Sequence, residues 1–166
     1  MGEFLRQPVI RRILKYALYL FLSLMVQNML FTQVRPLGVC PMVLPAVAVS
    51  VGMFEGPVWG CIFSLFLGFF ADMAFVENTI LFTVLFPLIA FGAAFVSQFY
   101  INKRFFAFMG VALMAGFFTA LIQMLLTFAG DAWSWQLVRT ALLQTVWSLP
   151  PAALAFFPPA RWIRDE

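Results

Sequence analysis

Long stretches without a charged side chain set the pattern of this chain. They cover Tyr16–Val34, Pro36–Phe54, Gly56–Ala71, Asn78–Asn102, Phe105–Gly130 and Thr140–Ala160. A helix that crosses a bilayer needs about 20 predominantly apolar residues, with a working range of roughly 17–25. Five of the six runs reach that length, and Gly56–Ala71, closed by Asp72, is a little short. The pattern predicts six transmembrane helices, at about 16–34, 36–54, 56–72, 78–102, 105–130 and 140–160. The fold class is therefore an all-α integral membrane protein, one transmembrane domain over 1–166 with no soluble domain. Short links favour antiparallel neighbours in a compact bundle. The first run is longer than the apolar region of a signal peptide, and no Ala-x-Ala site precedes a mature domain. It reads as an uncleaved first helix.

The sparse basic residues give this pattern an orientation. With six spans and the N-terminus inside, Arg6, Arg11, Arg12, Lys15, Lys103, Arg104, Arg161 and Arg164 are cytoplasmic, and only Arg35 and Arg139 lie outside. Cytoplasmic loops are enriched in Lys and Arg, so both termini are expected in the cytoplasm. Trp133 and Trp135 then fall at the outer interface and Trp162 at the inner one, where aromatic belts form.

Composition narrows the chemistry. Of 166 residues 64% are hydrophobic and 10% charged, against about 45–50% and 25% in a soluble domain, which excludes that class. There is no histidine, which removes the commonest general base and the usual zinc ligand. The net charge of +3 is scattered and gives no nucleic-acid footprint. Cys40 and Cys61 lie inside apolar runs and read as small membrane-helix residues. No phosphate loop, catalytic carboxylate pair or Cys/His cluster occurs. No enzyme activity, metal or cofactor is expected.

The polar residues that remain follow helical spacing. Gly56, Gly60, Ser64, Gly68 and Asp72 recur every four residues. Such a row lets membrane helices approach closely, as a packing face or a surface for a partner helix. Pro57 suits the first turn of a helix, where its missing N–H costs nothing. Asp72, near the outer headgroup level, has three readings: a structural cap or loop contact, a partner contact, or a ligand or proton site. Thr119, Gln123 and Thr127 form a second row, and Thr140, Gln144 and Ser148 a third; Gln27 and Asn28 add amides to the first helix. These groups bond between helices or line a small polar pocket open to the outside. Pro150–Pro151 is expected to kink or break the sixth helix, and Pro87 to bend the fourth.

From Leu24 to Gly60 the chain resembles the rod-shape-determining protein MreD family of bacterial inner-membrane proteins. The likeness runs through Gln27-Asn28-Met29-Leu30-Phe31, Leu37-Gly38-Val39-Cys40-Pro41, Gly52 and Glu55-Gly56-Pro57 to Gly60, and then to Gly68-Phe69-Phe70-Ala71-Asp72. Met42 stands where members often carry an acidic residue, and the turn after Asp72 is shortened. Beyond Phe105 only hydrophobic character matches. The resemblance implies a non-catalytic scaffold of the cell-elongation machinery in the cytoplasmic membrane. Its implied partners are an MreC-like bitopic protein and, through it, the MreB filament, a RodA-type glycosyltransferase and a penicillin-binding transpeptidase. The family's fold is thought to resemble the substrate-capture component of energy-coupling-factor transporters. A vitamin- or metal-capture component is therefore the second functional class.

Overall fold

A computed structural model describes residues 8–31, 41–74, 80–99, 105–127 and 135–162. It is all-helical. The helices are α1 (Pro8–Val26, continued by a π-helical turn, Gln27–Phe31), α2 (Leu44–Glu55), α3 (Pro57–Ala74), α4 (Leu81–Phe99), α5 (Phe105–Thr127) and α6 (Trp135–Trp162). Four of them, α3 to α6, are long and apolar enough to cross a membrane.

Helix α1 starts eight residues before the apolar run does, and α6 starts five before. Arg11, Arg12, Lys15 and Arg139 end a stretch suited to hydrocarbon, but charged residues are good helix formers and the helix continues through them. Helix α2 departs most from its expected span. It begins at Leu44, after an irregular stretch at residues 41–43, and the earlier part of the expected helix, 36–40, lies outside the described residues. The cause is local: proline has no N–H to give a helix interior, and Pro45 sits in the first turn, where none is needed. Twelve residues at 1.5 Å each make α2 about 18 Å long, shorter than the hydrocarbon core of about 30 Å.

This short helix is the centre of the molecule. Every residue from Leu44 to Phe54 is buried, enclosed by α3 and α4 on one side and α5 and α6 on the other. Leu44, Val49, Val51, Met53, Leu67, Phe86 and Phe108 are fully enclosed. The outer helices turn large apolar side chains outward, among them Leu18, Ile62, Phe66, Leu88, Met114 and Leu154. Lipid is a solvent that accepts such a surface.

Three glycines bring α2, α3 and α4 into backbone contact. A Cβ on Gly60 would lie 2.6 Å from the Cα of Gly52, one on Gly52 2.4 Å from the carbonyl oxygen of Ala90, and one on Gly68 2.3 Å from that of Phe82. A single residue, Gly56, joins α2 to α3 with φ of 91°, a conformation that favours glycine because it has no Cβ. Pro57 opens α3 at its first position, as the sequence predicts. Helix α6 runs unbroken through Pro150–Pro151 and Pro158–Pro159, and α4 through Pro87. The expected break at Pro150–Pro151 is absent, in keeping with the tolerance of proline in membrane helices whose neighbours re-satisfy the freed backbone groups.

Candidate functional site

Buried polar groups gather at three stations. The first is the start of α2, where the irregular residues 41–43 lie inside protein. Backbone N–H groups at a helix start have no partner within the helix, and Val43, at the capping position, offers no side-chain oxygen. Two distant helices supply what is missing. The Gln27 amide, in the π-helical turn, accepts from the Val43 N–H at 2.8 Å and donates to the Pro41 carbonyl at 3.0 Å. Ser148 Oγ, on α6, accepts from the Met42 N–H at 2.8 Å and donates to the Gln144 carbonyl at 2.6 Å. Gln27 is only 4% exposed and Ser148 7%.

The second station is Asp72. Its Oδ1 accepts from the Phe82 N–H at 3.0 Å, and its Oδ2 from the Thr83 N–H at 2.8 Å and the Thr83 hydroxyl at 2.6 Å. The carboxylate thus caps the N-terminus of α4 from the end of α3, where a negative charge also complements the helix dipole.

The third station joins α1 to the other end of α2. Glu55 accepts from the Arg12 guanidinium with one oxygen and from the Tyr16 hydroxyl with the other. The Glu55 side chain is 3% exposed and that of Arg12 34%. The Arg12 guanidinium also lies 5.8 Å from the Trp59 ring centroid, a cation–π distance. One turn along α1, the Tyr19 hydroxyl donates to the Ala155 carbonyl at 3.0 Å and lies 3.5 Å from Ser50 Oγ.

The polar residues singled out from sequence have these positions. In the small-residue row, Gly60, Ser64 and Gly68 are buried, and α2 and α4 of the same chain occupy the face through the Gly60–Gly52 and Gly68–Phe82 contacts. A partner helix reaches this row only by displacing them. Gly56 is a corner, not a face residue. Of the two rows on α5 and α6, Thr119 is buried and turned back to the Ala115 carbonyl at 2.8 Å. Gln123, Thr140 and Gln144 are half-buried, and the Thr127 side chain lies outside the described residues. Asn28 is exposed. Of the candidate pocket residues, Gln27 and Ser148 converge on the backbone of residues 41–43. The cavity bounded by Ser148, Thr145, Met42 and Gly116 has a volume of about 10 Å³, near the lower limit for a single water.

Sequence reasoning missed the Glu55 station and the buried Thr145, which bonds to the Ala141 carbonyl at 2.8 Å. The signal for the first was present: Arg12 and Tyr16 are four apart, on one helix face, below a helix ending in a carboxylate. Among the described residues no three of His, Cys, Asp and Glu come together as a metal site. No protein-family model, curated protein or solved structure matches the chain.

Proposed function

We propose that this chain is a non-enzymatic scaffold of the bacterial cytoplasmic membrane. It spans the bilayer six times with both termini inside and organises side-wall peptidoglycan synthesis during rod elongation. Its direct partner is an MreC-like bitopic protein, and through it the MreB filament, a RodA-type glycosyltransferase and a penicillin-binding transpeptidase. The observation that carries this reading is the ordered set of motif residues from Gln27 to Asp72. The polar ones cap helices or join them (Gln27, Glu55, Asp72), and the glycines make the crossings (Gly52, Gly60, Gly68). Residues spent on a rigid helical frame suit a protein that positions others. The capture-component alternative asks for a ligand-sized polar pocket, and the cavity beside Ser148, between α2, α5 and α6, is about 10 Å³.

Depletion in a rod-shaped host tests the proposal. Cells should round or swell and wall synthesis should lose its side-wall pattern, with an MreC-like protein co-purifying from wild-type membranes. Normal rods after clean deletion, in a strain without a second copy, would overturn it. So would sub-micromolar retention of a vitamin by the purified protein, which is the signature of the capture component.

A further inference from the structure

Beside the Glu55 station a groove runs along the outer face of the molecule between α1 and α3. Its volume is about 540 Å³, and Arg12, Tyr16, Ala17, Trp59, Ile62 and Phe66 are among the residues that line it. Its walls are almost wholly apolar apart from one end, where Arg12, Tyr16 and Glu55 meet. Along α3 it extends from Trp59 to Phe70, eleven residues or about 16 Å of helix. One leaflet of a hydrocarbon core is about 15 Å deep, half of about 30 Å.

We propose that this groove binds a membrane phospholipid, with one acyl chain lying between α1 and α3 and the lipid phosphate at the Arg12 guanidinium. Length selects this occupant. The groove has the depth of a single leaflet and closes at a polar end, as a lipid does. Charge agrees. Glu55 is enclosed while about a third of the Arg12 side chain remains exposed, so an approaching phosphate meets the cation. Arg11, next to it on the same turn of α1, is exposed and adds a second cation to this end of the helix. Guanidinium is the side-chain group best matched to phosphate oxygens, and Trp59 stands beside it as an interfacial aromatic.

Native mass spectrometry of the full chain, stripped of lipid in detergent and then offered phosphatidylglycerol, tests the site. Wild type should hold one lipid per chain. Ala17 is exposed and lines the groove, so Ala17→Trp fills it without touching the core and should cut occupancy at least tenfold. Val146→Trp, on the exposed face of α6, should leave it unchanged. A diacylglycerol with the same chains, lacking the phosphate, should bind at least tenfold more weakly than phosphatidylglycerol. Equal occupancy in the two tryptophan variants, equal binding of the diacylglycerol, or a groove filled by a second copy or a protein helix would each overturn the proposal. A second measurement leaves the groove unfilled. In vesicles containing brominated phosphatidylglycerol, the fluorescence lost on Trp59→Phe should be quenched beyond the level set by the bulk lipid fraction. Quenching at the bulk level would overturn it.

Discussion

Two helices begin inside this protein, and they are capped in opposite ways. The start of α2 is enclosed and is served by neutral groups from two other helices, the Gln27 amide 16 residues upstream and the Ser148 hydroxyl 106 residues downstream. The start of α4 is only partly buried and is served by a carboxylate, Asp72, ten and eleven residues upstream. Burying an unpaired charge costs far more than burying a hydrogen-bonded amide or hydroxyl. The charged cap is therefore found where water reaches it, and the neutral caps where none does. Both starts need acceptors, and burial decides which acceptor is used.

Putting the wrong kind of cap in the buried place should do the most damage. Gln27→Glu sets a carboxylate where only 4% of the residue is exposed and should cost about 3 kcal/mol, read as the shift in unfolding free energy in detergent. Ser148→Ala leaves the Met42 N–H buried without an acceptor and should cost about 2 kcal/mol. Asp72→Ala removes three bonds at once, yet water can reach the released groups, and the loss should be about 1.5 kcal/mol. Asp72→Asn keeps one oxygen acceptor, loses the other with its backbone N–H bond, and gives up the dipole interaction, for about 1 kcal/mol. The order carries the argument. A loss from Ser148→Ala no larger than that from Asp72→Asn would show that burial is not what separates the two starts.

Much of the fold was legible because helices packed in lipid leave simple marks. The four-residue row on α3 announced close packing, and Gly60 and Gly68 do meet backbone. Pro57 marked the first turn of α3, and Phe105 the first residue of α5. Charge-free runs report where hydrocarbon is tolerated, not where a helix begins, so they placed the starts of α1 and α6 too late. The same runs put that of α2 too early, where Pro41 and Pro45 decide. The polar stations were harder to read because each joins residues from separate helices: Arg12 with Glu55, and Gln27 and Ser148 with residues 42 and 43. Helical spacing shows which residues share a face, but not what that face meets. For that reason the rows on α5 and α6 suggested a pocket, whereas Thr119 and Ser148 donate to carbonyls of their own helices.

The bond between Met42 and Ser148 closes across 106 residues of chain. Synthesis at about 5–20 residues per second places on the order of 5–20 s between the two partners leaving the ribosome. Throughout that interval the start of α2 lacks the hydroxyl that will serve it. The nascent protein therefore carries an unfinished polar contact until α6 docks, and a chain cut short before α6 keeps that mark.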